Sequence, residues 1–98
     1  ALKERGFVPD LVIAHPGWGE TLFIREVFPA VRQILYGEFY YRSRGGDVGF
    51  DPEDPDPSFE EAMRVHAKNA TGMLAYAEAD RIVSPTRFQG SMLPAIFR

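Results

Sequence analysis

The sequence predicts an α/β fold: a Rossmann-like three-layer sandwich with a short parallel sheet of about three strands. Apolar runs of four or five residues alternate with segments of helical spacing, in the order helix end, strand, helix, strand, long loop, helix, strand, helix. Strands separated by helices pair in parallel, through crossovers that are nearly always right-handed. The 98 residues leave room for a single domain, spanning residues 1–98.

The first part of the chain predicts a helix end, a strand and a helix. Residues 1–6 are typical of the last turn of a helix that a glycine ends. Residues 10–14 form an unbroken apolar run, which is typical of a strand covered on both faces. A helix is predicted over 20–28, because apolar residues recur there at helical spacing, Glu20 suits the first turn and Pro29 ends the segment.

The middle of the chain predicts a second strand and a long loop. The strand covers residues 33–36, with room to start at Val31 and to run on towards Phe39. Glycines and closely spaced prolines then forbid regular structure over 42–57. Loops of this length are usually functional or disordered.

A long helix is predicted over residues 58–79, because Ser58 and Glu61 have the spacing of a capping box. Its predicted buried stripe consists of Phe59, Met63, Ala67, Ala70, Leu74 and Ala77. A third strand over 81–84 and a last helix that opens at Pro85 complete the pattern.

Composition excludes several classes of protein and site. The absence of cysteine excludes disulfides and thiolate metal sites, and no apolar run is long enough to span a bilayer. Seven acidic and no basic residues lie between Asp47 and Glu61, so the rest of the chain is mildly basic. This positive charge suits phosphate-bearing ligands, but it is too scattered along the sequence to indicate binding of nucleic acid. The acidic loop lacks calcium-loop spacing, so no metal site is predicted at Asp51, Glu53, Asp54 or Asp56.

Ligands of open α/β sheets bind beyond the carboxyl ends of the strands. Three segments of this chain meet that condition, namely 15–20, 37–41 and 84–89. In the last of them Ser84 and Thr86 offer two hydroxyls to a ligand, although such residues more often cap the next helix.

The first segment contributes five candidate binding residues: His15, Gly17, Trp18, Gly19 and Glu20. Its glycines precede the predicted helix, where free amides can hold an anion, although a plain tight turn explains them equally well. His15 suits donation to a phosphate or hydroxyl, or proton transfer, and the alternative is a histidine that only ties the loop down.

The second segment contributes Glu38 and Tyr40. A carboxylate among aromatic residues needs hydrogen-bond donors, and sugar hydroxyls with a stacked sugar ring are typical partners of such a cluster. The alternative is a structural ion pair between Glu38 and Arg42 or Arg44.

Several short sequence motifs of this chain, taken in order, resemble those of the N-terminal, acceptor-side domain of bacterial family 4 glycosyltransferases. The resemblance rests on residues 9–15, 38–41 and 79–86, and a fuller match over 15–20 and 46–51 is similar to one bacterial subgroup. Together these motifs extend the resemblance over nearly the whole chain.

The resemblance implies a GT-B architecture, in which two Rossmann-like domains face each other across a cleft. The N-terminal domain then receives a glycan or other acceptor and the C-terminal domain holds a nucleotide-sugar donor, with retention of configuration, hexosyl transfer and no cofactor or metal. The chain would be the second half of the acceptor domain, inactive alone. Many relatives carry a histidine where this chain has 37–40, so the catalytic residues stay unassigned and Glu38 is a hypothesis for a contact to the reacting sugar.

The resemblance further implies polysaccharide synthesis in the cytoplasm, and it leaves open a peripheral association with the inner face of the membrane. A bare sheet edge would also suit a homodimer. The alternative from a different functional class is a non-catalytic α/β binding or assembly module, which the lack of a complete catalytic set favours.

Overall fold

The computed structural model describes residues 2–46 and 51–98. Ala1 and residues 47–50, which include part of the predicted loop and of the 46–51 match, lie outside the described residues. Three strands form one parallel sheet with β2 at its centre: β1 (Leu11–Ala14), β2 (Arg32–Tyr36) and β3 (Arg81–Val83). The predicted α/β class and three-stranded parallel sheet are confirmed.

Four α-helices accompany the sheet in the described residues: α1 (Ile24–Val27), α2 (Phe59–Ala67), α3 (Asn69–Glu78) and α4 (Arg87–Met92). Short 3₁₀ turns lie at Lys3–Arg5 and Ala95–Phe97. The first of these ends at Gly6, whose φ of 83° is the left-handed conformation expected of a glycine that stops a helix. The described parts of the 42–57 loop contain no helix or strand, as predicted.

The predicted helix over 20–28 is wrong in extent, because only the four residues of α1 are helical. The Glu20 carboxylate accepts a hydrogen bond from the Trp18 amide at 2.6 Å, which closes a turn backwards along the chain. Residues 20–23 continue as turns, and the helix therefore starts at Ile24.

The predicted helix over 58–79 begins where expected but is divided into two helices at Lys68. Ser58 accepts from the Glu61 amide and the Glu61 carboxylate accepts from the Ser58 amide, so the capping box is confirmed. The predicted buried stripe is wrong. Phe59 is 80% exposed, and every other member of the stripe is exposed as well.

Polar contacts set the rotation of these helices. Asn69 is buried, accepts from the Tyr41 amide at 2.8 Å and donates to the Tyr41 carbonyl at 2.7 Å. The buried Tyr76 hydroxyl donates to the Phe39 carbonyl at 3.0 Å. Because buried backbone groups must be paired, these bonds turn the Asn69 and Tyr76 side of α3 towards the protein and the alanine-rich side outwards.

The core lies on one face of the sheet. Leu35, at the centre of β2, is fully buried against Ala75, Tyr76 and Leu93. Gly37 follows β2 at a point where an added Cβ would lie 2.6 Å from Cγ2 of Ile82, so only glycine lets the chain pass over β3 there.

The opposite face of the sheet, here called the open face, has no covering layer in the described residues. The strand register places seven residues on it: Leu11, Ile13, Arg32, Ile34, Tyr36, Arg81 and Val83. Ile13 is 69% exposed and all the others except the half-buried Ile34 are exposed too. The expectation that both faces of β1 are covered is therefore not met within the described residues.

The molecule is elongated, with extents of 55 × 27 × 18 Å, and less compact than a globular protein of its size. Its accessible surface of 7279 Å² exceeds by about 1700 Å² the roughly 5600 Å² expected of a compact protein of 11.0 kDa. Its radius of gyration of 15.9 Å likewise exceeds the roughly 12.6 Å expected for 98 residues.

The direction of the crossovers explains why one face stays open. The sheet order β1-β2-β3 follows the chain, and right-handed crossovers that step in one direction all lie on the same face. Arg25 of α1 accordingly donates to the carbonyl of Glu78 at the end of α3, at 2.6 Å. No helix of the described residues is both long and apolar enough to cross a membrane.

Candidate functional site

A histidine and a glutamate from neighbouring strands meet at the carboxyl edge of the sheet. His15 follows β1 and Glu38 follows β2, and His15 Nε2 lies 3.0 Å from Oε2 of Glu38. Their side chains are 41% and 34% exposed, so a ligand can reach both. The predicted alternative partners of Glu38 are engaged elsewhere, since Arg42 donates to the carbonyls of Ser91 and Met92 and Arg44 lies near Asp56.

Gly17 makes room for the histidine ring. A Cβ on Gly17 would lie 2.9 Å from His15 Nδ1 and 3.2 Å from Cε1, closer than side chains normally approach. The glycine is thus explained by its contact with His15 and not only by the turn that it forms. A larger residue at this position would push the imidazole away from its present place beside Glu38.

A groove opens next to this pair, and we call it the aromatic groove. It has a volume of about 420 Å³ and is lined by His15, Gly17, Trp18, Phe39, Tyr41, Lys68 and Thr71. A smaller recess continues from it past Tyr40, Asn69, Gly72 and Tyr76. Three parts of the chain therefore form the groove: the turn after β1, the segment after β2 and the start of α3.

Flat rings dominate the surface of the aromatic groove. The rings of Phe39 and Tyr41 stack with centroids 5.9 Å apart and an angle of only 3° between their planes. The ring of His15 lies 6.2 Å from that of Phe39, nearly edge-on. Trp18 is 97% exposed at the rim and does not pack on the sheet edge. The Trp18 backbone amide donates a hydrogen bond to Glu20, whereas no hydrogen bond to the described residues involves the indole.

Two residues that were not predicted from the sequence hold the groove wall in place. Asn69 and Tyr76 bind the backbone of Tyr41 and Phe39, which has left the sheet and has no strand partner there. Burial raises the pKa of the Tyr76 hydroxyl, with the nearby Tyr41 adding to the effect, so Tyr76 keeps the proton that it donates. Asn69 was the available sequence signal for this contact. Asparagine is a poor helix former, so its presence within the predicted helix indicates that its side chain makes a specific contact.

The glycine turn at 17–19 holds an anion, but the anion is the protein's own. Glu20 accepts from the Trp18 amide, and hydrogen bonds from the backbone of Glu20, Trp18 and Gly17 hold the pKa of the Glu20 carboxyl below its ordinary value. Gly19 adopts a left-handed φ of 87° that allows this turn. The following helix α1 has only four residues.

Ser84 and Thr86 lie at the third strand end but outside the lining of the groove. Thr86 is the N-cap of α4 and accepts from the Gln89 amide at 3.2 Å, which is the capping role named as the alternative. Ser84 is half-buried, and its hydroxyl lies near Gly37 and Gly90.

The acidic segment contributes turns and a surface ion pair. Asp51 accepts from the Glu53 amide at 2.9 Å, and Asp56 lies 3.8 Å from Arg44. In the part of the chain that the structure describes, no three histidine or acidic side chains are arranged to hold a metal ion.

The fold and the groove can now be compared with known proteins. A family model described as "Glycosyl transferase family 4 group" matches residues 1–98, the whole chain. The chain belongs to this family. Family 4 membership gives it a glycosyltransferase function in general, with a sugar donor and an acceptor as its partners. Comparisons with curated proteins and with solved structures gave no match.

For a family 4 glycosyltransferase, the aromatic groove lies where ligands of parallel α/β sheets bind. The structure brings together His15, Gly17, Trp18 and Tyr40 of the predicted residues around one surface. Glu38 does not line the groove or its recess, and it is linked to them by its contact with His15. Gly19 and Glu20 support that surface from the adjoining turn, whereas Ser84 and Thr86 lie apart from it.

Proposed function

We propose that the chain forms the acceptor-side wall of a retaining glycosyltransferase, which transfers a hexose from a nucleotide-sugar to a glycan or other acceptor. The aromatic groove receives the acceptor, and the donor is bound by a second domain across the cleft. The chain alone is then inactive, because half of the cleft belongs to another part of the protein. The proposal includes a cytoplasmic location, where such an enzyme would serve polysaccharide synthesis.

One observation carries the proposal: a carboxylate and an imidazole from two strand ends lie beside stacked aromatic rings. Oε2 of Glu38 is taken up by His15, while no hydrogen bond from the described residues engages Oε1. A sugar that stacks on an aromatic ring presents its hydroxyls at the edge of that ring, where a carboxylate oxygen can accept them. The pairing fits an acceptor sugar with its ring on the aromatic residues and a hydroxyl at Glu38.

The chemistry that this arrangement supports is orientation of the attacking hydroxyl. In a transfer reaction the acceptor oxygen bonds to the anomeric carbon of the donor sugar while the nucleoside diphosphate leaves with the bonding electrons and takes up the hydroxyl proton. Holding the hydroxyl by its proton directs the oxygen lone pair, and positioning of this kind contributes to the rate by proximity. His15 acts here as a positioning residue, because its contact fixes the rotamer of Glu38.

The open face supports the further proposal that the chain is the second half of an N-terminal Rossmann-like domain. Parallel sheets are normally covered on both faces. The excess surface of about 1700 Å² is about twice the area that one partner buries in a standard protein interface. A second layer of helices, contributed by the other half of the domain, would cover the part of this surface that lies on the open face.

A non-catalytic assembly module is the second candidate, and the same open face favours it. A second copy of the chain could cover the exposed apolar residues, through the sheet face or through the edge strand β1. The two candidates differ in a simple respect: the module needs only this chain, whereas the enzyme needs a donor domain.

The experiment that tests the proposal compares Glu38→Gln with Glu26→Gln in the full-length protein. Glu26 is exposed on α1 and lies outside the groove, so it serves as the matched control. We expect Glu38→Gln to lower turnover by about tenfold to a hundredfold, because a neutral amide orients a hydroxyl less strongly than a carboxylate, and Glu26→Gln to leave it unchanged. Equal turnover in the two variants would refute the role of Glu38.

A further inference from the structure

The residues that line the aromatic groove include a lysine and no acidic residue. The chain has a net charge of −3, yet none of the residues that line the groove or its recess is acidic. Lys68 supplies the positive charge of this lining, whereas His15 is paired with the Glu38 carboxylate. The Lys68 end of the groove is therefore a local site of positive charge.

The Lys68 ammonium makes no ion pair with the described residues, and a second pocket beside it is lined by Asp54, Asp56 and Glu61. In residues 2–46 and 51–98 no carboxylate lies within ion-pair distance of it. Its one described contact is the ring of Tyr41, whose centroid lies 5.6 Å from Nζ. A cation above a ring keeps its remaining N–H groups available, so Lys68 can bind an anion while it stays in place over Tyr41.

The position of Lys68 is fixed by the main chain. The residue lies at the junction of α2 and α3, its amide donates to the carbonyl of Arg64, and the following Asn69 is bound to Tyr41. The base of the lysine side chain is thereby held at one end of the stacked rings. Glu38 lies at the other end of the segment that carries those rings.

We propose that the acceptor is an anionic sugar: its ring stacks on the aromatic residues of the groove, and Lys68 binds its carboxylate or phosphate. This inference rests on the proposed acceptor role of the groove and adds the class of acceptor. A neutral sugar would use the rings and Glu38 but would leave Lys68 without a partner. Charge complementarity, more than shape, then selects the acceptor.

The single tryptophan of the chain provides the test, because Trp18 lies on the rim of the groove. The fluorescence of the full-length protein, with the signal of its Trp18→Phe variant subtracted as background, is titrated with methyl β-glucuronide, with its neutral counterpart methyl β-glucoside, and with glucose 6-phosphate, which separates a carboxylate from a phosphate source. We expect the anionic sugars to bind about fivefold more tightly than the neutral one, as for a partly exposed ion pair. Raising the salt concentration should reduce this preference.

Three variants assign the effect to the residue. Lys68→Met should abolish the preference for anionic sugars, Lys68→Arg should retain it, and Lys3→Met, at the one other lysine of the chain, should not change it. Both positions are exposed, so none of the three substitutions disturbs the packing of the core.

The outcomes separate this inference from the proposed function. Equal binding of neutral and anionic sugars, or a preference that survives Lys68→Met, would refute the anionic acceptor and leave the groove as an acceptor site. Competition of uridine diphosphate with the sugars for the Trp18-specific signal would overturn both, since the groove would then serve the donor. No response of Trp18 to any of the sugars would also overturn both.

Discussion

The open face of the sheet makes a quantitative prediction about two alanine substitutions. Leu35 and Ile13 lie on neighbouring strands and on opposite faces of the sheet. Leu35 is 0% exposed and Ile13 is 69% exposed. Removing a buried leucine or isoleucine side chain to alanine costs about 2–5 kcal/mol. For Leu35→Ala we therefore expect about 3 kcal/mol in any context, because the covered face is complete within the chain.

Ile13→Ala should depend on context. In the 98-residue chain only about a third of the side chain is buried, so the loss should be about 1 kcal/mol. In the full-length protein, where we propose that helices cover the open face, the loss should rise to about 3 kcal/mol. The difference of about 2 kcal/mol is large enough to resolve by urea denaturation.

The assay is urea unfolding followed by circular dichroism, with both variants in both contexts and at two protein concentrations. Leu35→Ala is the control, since its loss should be the same in the short and the long protein. An Ile13→Ala loss of about 1 kcal/mol in both proteins would refute the reasoning. A loss that grows with the concentration of the short chain alone would indicate self-association through this face instead.

Three further predictions follow from single contacts. A hydrogen bond from the Gln33 amide, reinforced by a nearby arginine, holds the pKa of the Asp80 carboxyl below its ordinary 3.8. The carboxylate should therefore stabilise the folded state fully above that pH, and this stabilisation should be lost as pH falls below it. Asp80→Asn should accordingly flatten the fall in thermal midpoint between about pH 5 and 2.5. Gly17→Ala should displace the ring of His15 and weaken sugar binding in the Trp18 fluorescence titration, without loss of fold. Ser58→Ala should cost about 1 kcal/mol in urea unfolding, because it removes the capping box.

Each of these predictions has an outcome that contradicts it. Parallel pH curves for wild type and Asp80→Asn would mean that the carboxylate does not favour the folded state. Unchanged sugar affinity in Gly17→Ala would separate His15 from the groove, and Gly90→Ala is the matched control because its Cβ would make only ordinary contacts. A loss near zero for Ser58→Ala would show that the cap adds nothing to the stability of α2.

The sequence was sufficient for the fold because alternating apolar runs and helical spacing are local signals. The three strands, their parallel pairing and the capping box of Ser58 depend on a few neighbouring residues and were predicted within about a residue. The face that each helix buries was not predicted. That choice depends on long-range bonds from Asn69 and Tyr76 to a segment about thirty residues away in sequence.

For the candidate site too, the features that depend on local sequence were predicted and those that depend on long-range contacts were not. The rule that ligands bind at strand ends was enough to select His15 and Glu38 separately, but their contact with each other depends on strand order, which no local pattern contains. Lys68 was missed altogether. It lies at the break between α2 and α3, inside what the periodicity predicted as one continuous helix.

The central claim is that this family 4 glycosyltransferase chain contributes the acceptor wall of a transfer enzyme. The most direct measurement is nucleoside diphosphate release by the full-length protein across a panel of uridine, guanosine and adenosine diphosphate sugars, with and without methyl β-glucuronide and methyl β-glucoside as acceptors. We expect one donor class to be consumed, at a rate that rises with acceptor and falls in Glu38→Gln. Donor consumption that ignores both the acceptor and Glu38, or the absence of consumption with every donor, would contradict the account.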